Sequence, residues 1–388
     1  MAKGPFSGIL VIDLTRVLAG PYCALLMAEL GARVIKVEEP GIGDASRAIG
    51  PFIKTKSGKV KSGYFMSVNR GKESIALDLK SDADRRIFDA LLSRADVLLE
   101  NYRGGTMEKL GYGWKALHEN YPKLIYAAVS GFGQTGPYAH RPAYDMVVQA
   151  MGGIMSLTGH PGSPPTRVGS SMGDLTAGLF TTIGIATALF DRTKTGAGMM
   201  VDVSMLDCQV AILENAIARY VATGEVPGPI GSRHPSIAPF AAFATKDGHI
   251  VIAVGTDKLF ARMADVLGCP KIAGDARYAT NPLRMQHWEE LHGDMEKALA
   301  AKTSHEWLAL LEDAGVPSAP LNNVADVMED PQIAFRNMIV TAEDPEIGPL
   351  KMQGNPIKLS AYEDPKTRTP APDLDADRAR ILKELGIL

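Results

Sequence analysis

The chain has 388 residues, of which 46% are apolar and 22% charged, with a net charge of −3 at neutral pH. That length exceeds one ordinary hydrophobic core and gives about two domains as a prior, in a composition typical of soluble globular proteins. The charge balance leaves no electrostatic footprint for nucleic acid or an anionic membrane, so an anionic ligand must be met by local positive groups.

In chain order, residues 8–14 read as a continuous apolar strand, 21–30 as an apolar-periodic helix opened by Pro21, and 33–38 as a second strand. Together they form a βαβ unit. Ser74 to Leu79 follows as a strand, 82–94 as a charged helix, and 95–99 and 124–130 as further strands. This alternation predicts an α/β fold with a mostly parallel sheet covered on both faces by helices. The order of elements is Rossmann-like. However, Thr15-Arg16-Val17-Leu18-Ala19-Gly20 follows the first strand where a dinucleotide site needs G-x-G-x-x-G, which disfavours an NAD enzyme.

An uncharged run between Asp174 and Asp191 is shorter than the ~20 residues that span a bilayer, and Thr and Gly interrupt it, so it reads as a core helix. After a helix at about 206–222, the Gly- and Pro-rich stretch from Thr223 to Gly231 reads as a linker. The expected division is a large Rossmann-like domain over 1–222, a smaller α+β domain over 223–330, and a C-terminal segment, 331–388, that ends in a helix from Asp375 to Leu385. The smaller domain should hold a hairpin, 241–244 with 249–254, and helices near 257–267, 286–300 and 303–314.

Three cysteines, Cys23, Cys208 and Cys269, are far apart and form no C-x-x-C pair, so neither a disulfide framework nor a zinc site is indicated. None of the eight histidines pairs with another at i, i+4, which argues against a metal enzyme. Residues 1–5 carry no apolar or Arg-rich leader, and the expected compartment is the cytoplasm.

The most informative stretch is Arg167 to Ala188. It sets one carboxylate, Asp174, after a glycine at the start of the uncharged helix. Near the positive helix end, that carboxylate would be held ionised and available as a nucleophile. The simpler alternative is an N-cap, a role that Asp commonly fills.

Several segments carry a resemblance that spans nearly the whole chain. They are Gly8 to Pro21, Leu30 to Glu38, Asn69-Arg70-Gly71-Lys72, Ala95 to Gly105 and Ser130-Gly131-Phe132-Gly133, followed by Pro142-Ala143-Tyr144-Asp145, Gly173 to Gly178, Thr195-Gly196-Ala197-Gly198 and Val201 to Met205. In order and spacing the chain resembles the class III CoA-transferases. The resemblance implies an interlocked homodimer and transfer of CoA between acids, with acyl-CoA as substrate and no permanently bound cofactor or metal. Asp174 would form an acyl anhydride and then an aspartyl-CoA thioester.

The resemblance assigns CoA contacts to Val17, Leu18, Ala19, Leu77, Lys80, Asn101, Tyr102, Arg103 and Lys109, and to the stretch from Arg141 to Tyr144. Independently, Asn101-Tyr102-Arg103 ends a predicted parallel strand, where ligands of such sheets bind; Tyr102 could stack on adenine while Arg103 meets phosphate. At least one of Arg103, Lys109 and Arg141 is expected to be only a solvated charge. Glu39 stands where the formyl-CoA branch carries a cation, so that contact is expected to be lost. The family's mobile glycine loop corresponds to Gly255-Thr256, which reads equally well as an ordinary turn.

Ser232-Arg233-His234-Pro235 resembles the subgroup that uses succinyl-CoA and dicarboxylates such as glutarate, malate or citramalate. Arg233, His234 or Arg167 could meet the second carboxylate, or Arg233 and His234 could simply fix the hinge. The racemase branch carries His before Asp where this chain has Tyr144-Asp145, which favours transfer over epimerisation. Two alternatives stay open: an acyl-CoA racemase or isomerase, with His160 as its nearby candidate base, and a non-catalytic CoA-binding protein.

Overall fold

The strand Leu10–Asp13 lies in the middle of a six-stranded parallel sheet, with Arg33–Glu38 and then Glu73–Ala76 on one side. Val97–Glu100, Ile125–Ser130 and Met200–Ser204 continue the sheet on the other side. The chain builds outward from Leu10–Asp13 in one direction and then returns to build in the other. The order therefore reverses between Leu10–Asp13 and Val97–Glu100, and the crevice at their carboxyl ends is where ligands of such sheets bind.

A computed structural model describes residues 3–388, which form two units. The larger contains the sheet and comprises the chain through Met155, Arg167–Gly224 and Pro331–Leu388; the smaller comprises Ser156–Thr166 and Glu225–Asp330. The short stretch 156–166 therefore belongs with the smaller unit, although the sequence division leaves it in the larger. It is joined there by the Gly231 N–H, which donates to the Gly159 carbonyl at 2.8 Å.

Because the central strands are buried on both faces, they are mostly apolar rather than alternating, with Asp13, Lys36, Glu38 and Glu100 as buried exceptions. Val11, Val97, Leu99, Ile125 and Ala127 face Cys23, Ala24 and Met27 of the helix Ala19–Glu29, and Ala177, Ile185 and Ala188 of the helix Met172–Thr195. On the opposite face, Ile12, Leu98 and Tyr126 pack with Phe88 and Leu91 of Asp82–Leu92 and with Ile381 and Leu382 of Arg378–Leu385. The C-terminal segment also covers the sheet edge: Asp375 and Asp377 accept the backbone N–H groups of Ala76 and Ser74 at 2.7 and 2.9 Å.

Several helices differ from the sequence reading: the one expected at about 206–222 is two, Met205–Ala211 and Asn215–Thr223, and the last begins at Arg378 rather than Asp375. The first helix begins at Ala19, not Pro21, because a proline is tolerated anywhere in the first turn, where its missing N–H is not needed. The uncharged core helix is 24 residues long, Met172–Thr195, and begins before Asp174. By length and composition it could cross a membrane, but half of its most apolar window is buried and its Gly178 packs against Ala19–Cys23.

The smaller unit holds a three-stranded antiparallel sheet, in which His249–Ala253 lies between Phe240–Ala244 and Ser318–Pro320. Helices Asp257–Leu267, Trp288–Leu299 and Ser304–Asp313 bury Phe243, Ile250 and Ile252 together with Met295 and Trp307. Thr303 and Glu306 close a capping box on the last of these helices.

Candidate active site

The turn that follows Leu10–Asp13 is specified by buried charge. Lys36, within an otherwise apolar strand, is fully buried; its Nζ donates to the Thr15 carbonyl at 2.6 Å and lies 2.9 Å from Asp44 Oδ2. Asp44 Oδ1 accepts the N–H groups of Ser46 and Val17 at 2.8 and 3.1 Å. Lys72 Nζ, also buried, donates to Asp13 Oδ2 at 2.9 Å, Asn69 Oδ1 at 2.8 Å and the Pro21 carbonyl at 3.1 Å. Burial works against the ionised form of Asp44, but Lys36 and the backbone donors outweigh it and hold the carboxyl at about 2. Burial likewise pushes the Lys72 ammonium down to about 8.

These groups pin a backbone that would not otherwise adopt this conformation. Val17, a β-branched residue, has φ +68°, in the left-handed region that such residues avoid. Asn101 holds the turn from the adjacent strand end by accepting the Arg16 N–H and donating to the Arg16 carbonyl, both at 2.8 Å. Buried Glu100 accepts the Tyr102 N–H at 2.6 Å and the Tyr126 hydroxyl at 2.9 Å. With Tyr102 fixed in this way, the Arg16 guanidinium stands 5.3 Å from its ring centre.

A cleft of about 200 Å³ opens at this edge. Arg16, Val17, Leu18 and Ala19 form one wall, Asn101, Tyr102 and Arg103 another, Ser130-Gly131 its floor, and Arg141 to Tyr144 its rim. Asp174 lines the same cleft. Gly131 is required at the floor because a Cβ there would meet the Ala143 methyl at 2.2 Å. Nine of the residues expected from sequence thus converge: Val17, Leu18, Ala19, Asn101, Tyr102, Arg103, Arg141, Tyr144 and Asp174.

Asp174 is half-buried and does not cap its helix; Ser171 precedes the first turn, in which Asp174 is the third residue. Asp145 accepts the Gly173 N–H at 2.8 Å, so it takes up a donor of that first turn. It is in turn held by Gln149 and by Arg167 Nη1 at 3.3 Å. Burial pushes the Asp174 carboxyl up to about 7, and the neighbouring Asp145 adds to the rise, against a hydrogen bond from the Ala19 N–H. The sequence expectation of a firmly ionised carboxylate is therefore corrected: desolvation outweighs the helix end, and the group titrates near neutrality. Tyr64 also faces this carboxylate, and burial together with Asp174, Asp44 and Asp145 pushes its phenol up to about 12.

Other expected residues are placed elsewhere. Leu77 is buried in the sheet's core, so its side chain does not reach the cleft. Lys80 is exposed beyond the end of Glu73–Ala76, and Lys109 is exposed on the short helix Thr106–Leu110. Glu39 lies 3.5 Å from Arg16 in an exposed ion pair.

In the smaller unit, the Arg233 guanidinium sits 5.8 Å from the Trp288 ring centre, while His234 stacks on Phe240 and accepts the Ser236 N–H. Thr256 caps Asp257–Leu267 by accepting the Leu259 N–H at 3.2 Å, and Gly255 is exposed before it. His160 belongs to this unit as well.

Arg16, Lys36, Asp44, Lys72, Tyr64 and Asp145 were not singled out by the sequence reading as site residues. The lysine in Arg33-Val34-Ile35-Lys36-Val37 was the available signal, since a charge inside an apolar strand requires a buried partner.

A family model described as CoA-transferase family III matches residues 6–378. The chain belongs to CoA-transferase family III. It is 48% identical to the acetyl-CoA:oxalate CoA-transferase of Acetobacter aceti, over 99% of this chain and 96% of that one. It is 40% identical to a succinyl-CoA:mesaconate CoA-transferase of Haloarcula hispanica, over 99% and 97% of the two chains. Among solved structures, a CAIB/BAIF family protein from Brucella suis superposes with a TM-score of 0.88 at 37% identity, over 99% of this chain and 100% of that one. This family III member is accordingly an enzyme, a CoA-transferase acting on acyl-CoA and carboxylic acid substrates.

Proposed function

We propose that the enzyme moves CoA from a short acyl-CoA, succinyl-CoA or acetyl-CoA, to a small dicarboxylate, with Asp174 as covalent nucleophile. The observation that carries this reading is a half-buried carboxyl titrating near neutrality, in the cleft at the sheet's reversal point, bonded by an N–H at the start of a helix. Such a carboxylate is poorly solvated yet substantially ionised at pH 7, which suits it to attack a thioester.

In the proposed sequence, an Asp174 oxygen attacks the thioester carbonyl, and the C–S bond breaks to leave an acyl-aspartyl anhydride and CoA thiolate. The thiolate attacks the aspartyl carbonyl and releases the donor acid, leaving aspartyl-CoA. A carboxylate of the acceptor attacks that thioester, forming a new anhydride and thiolate. Attack of the thiolate on the acceptor's carbonyl then yields the new acyl-CoA and frees Asp174. Arg167, half exposed and held by Asp145, is the proposed partner for the acceptor's second carboxylate. Oxalate is the first acceptor to try, because the 48% identical relative is named for it.

A homodimer is proposed as the working form, supported by the exposed apolar side chains Leu179, Phe180, Ile183 and Phe190 on Met172–Thr195. The cytoplasm is the proposed compartment, in keeping with three free cysteines.

The test is intact-mass analysis after mixing the enzyme with succinyl-CoA or acetyl-CoA, with peptide mapping after hydroxylamine trapping. An acyl or CoA adduct on Asp174, absent in Asp174→Ala, is expected. Transfer activity that survives in Asp174→Ala would sink the nucleophile assignment, and α-deuterium exchange without any adduct would favour the racemase chemistry.

A further inference from the structure

The buried charges beneath the cleft do more than fill the core. Burying an ammonium and carboxylates costs free energy that neutral side chains of similar shape would avoid, so the arrangement calls for a reason. Each of the groups ends on the backbone of one turn. Lys36 holds the Thr15 carbonyl, Asp44 the Val17 N–H and Lys72 the Pro21 carbonyl. Between those anchors lie the left-handed Val17 and Ala19, which line the cleft together with Asp174; the Ala19 N–H is so placed that it favours the Asp174 anion. Asp44 is itself placed from the sheet, since its N–H donates to Glu38 Oε2 at 2.9 Å.

We infer that the Lys36–Asp44 ion pair is a positioning device for catalysis, which forces Val17 into its left-handed conformation and thereby keeps Ala19 in its place beside Asp174 in the cleft. The inference rests on the reading of Asp174 as nucleophile. Neither Lys36 nor Asp44 lines the cleft, so both act through the turn. Without the Val17 anchor, a β-branched residue relaxes toward negative φ and the following N–H groups rotate with it. The walls at Asn101 to Arg103 and Arg141 to Tyr144 are carried by other elements, while the wall formed by Arg16 to Ala19 moves with the turn. The effect therefore falls on turnover first and on acyl-CoA binding second.

The pH dependence separates this role from simple electrostatics. The groups facing Asp174 are Asp145 at the start of Asp145–Met151, the phenol of Tyr64 on Gly63–Asn69, and the Ala19 N–H at the start of Ala19–Glu29. Asp44→Asn leaves Asp145 untouched, removes one of the anions that raise the Tyr64 phenol, and gives up the attraction to Lys36 that holds its side chain under the Val17 N–H. Deleting a nearby anion would by itself lower the Asp174 midpoint. Loss of the Ala19 hydrogen bond raises it.

The experiment measures kcat, KM for succinyl-CoA with oxalate as acceptor, and the pH midpoint of kcat in wild type, Asp44→Asn and the double variant Lys36→Met with Asp44→Asn, beside Asp174→Ala. Acetyl-CoA replaces succinyl-CoA if the wild type does not use it. Melting curves establish which variants fold. The double variant lacks both buried charges and covers the case in which Asp44→Asn alone leaves Lys36 unpaired and unfolds.

The expected result in the folded variants is a loss of about tenfold or more in kcat, a smaller rise in KM, and an alkaline shift of the midpoint. A folded variant with kcat within about threefold of wild type, a loss confined to KM, or an acid shift overturns the inference, and so does unfolding of both variants, since the pair is then purely structural. Retained activity in Asp174→Ala overturns the nucleophile reading instead, so the two failures are told apart.

Discussion

A Cβ at Gly178 would stand 2.8 Å from the Ala19 carbonyl oxygen and 2.9 Å from the Tyr22 ring, so the helices Met172–Thr195 and Ala19–Glu29 meet there at backbone distance. Glycine in a helix interior is intrinsically worse than alanine by about 1 kcal/mol, and here the close approach overrides that preference. Gly178→Ala is therefore expected to lose about 1–3 kcal/mol of stability by forced displacement. Gly178 lies one helical turn from Asp174 and the same displacement moves Ala19 of the facing helix, so kcat should fall while a Gly184→Ala control, which meets only the Val201 side chain at 2.6 Å, does less harm. Urea denaturation with parallel kinetics checks both; equal effects at the two glycines would remove the special standing of the Ala19 contact.

The raised pKa of Asp174 carries a stability signature. In the unfolded chain the carboxyl ionises near 3.8, and in the folded enzyme at about 7. Between those values the folded state holds a proton that the unfolded state has lost, so stability falls as pH rises from about 4 to about 7 and levels off above. For a group shut away from water the difference would be worth about 4 kcal/mol, and partial exposure in the cleft reduces it to about 1–2 kcal/mol. Asp174→Asn removes this term. Its Tm should match wild type at pH 4 and exceed it at pH 8; a gap that does not change with pH would contradict the placement.

Arg16, Arg103 and Arg141 are the arginines of the cleft, and CoA brings three phosphates to a chain of net charge −3. Arg16 is held over Tyr102 and Arg141 over the Tyr138 ring at 3.8 Å, which leaves their planar donors presented at the cleft. At least two of the three alanine variants should raise KM for acyl-CoA by about tenfold, the loss of one charge-assisted hydrogen bond of about 1.5 kcal/mol, with kcat nearly unchanged. Added salt should weaken the wild type more than these variants. Initial-rate kinetics at two ionic strengths decides it; three unchanged KM values would mean that these are solvated charges.

The sheet was legible in the sequence because its central strands are largely apolar and its helices periodic, and the cleft-lining walls could be located from the strand ends. Asp174 was legible as a residue, but its acidity was not: the helix end favours the anion, whereas burial and Asp145, which comes from a segment 29 positions earlier, favour the acid. The role of Lys36 was hidden for the same reason, since its partners Asp13, Thr15 and Asp44 meet only once the strands pair. Met200–Ser204 went unread because a five-residue edge strand with an exposed Asp202 has no apolar run. The hairpin Ile339–Asp344 with Gly348–Gln353 was missed because it lies within the segment from Pro331 onward, whose scattered prolines, Pro345 and Pro349 among them, read as irregular.

The outward face of Met172–Thr195 supplies the last test. Ile183 is 59% exposed, Phe190 63% and Leu179 44%, on the helix whose opposite face supplies Ala177, Ile185 and Ala188 to the core. An apolar stripe of this kind is costly in water and calls for a cover, which the proposed second copy of the chain would provide. Ile183→Glu places a charge in the stripe without disturbing the buried face, so each chain should keep its fold while losing its partner, because an unpaired charge in an apolar interface costs several kcal/mol. Analytical ultracentrifugation is expected to show a dimer for wild type and a shift toward monomer for the variant, with unchanged far-UV circular dichroism. A wild-type monomer, or a variant that dimerises as tightly as wild type, would leave this face without a role in assembly.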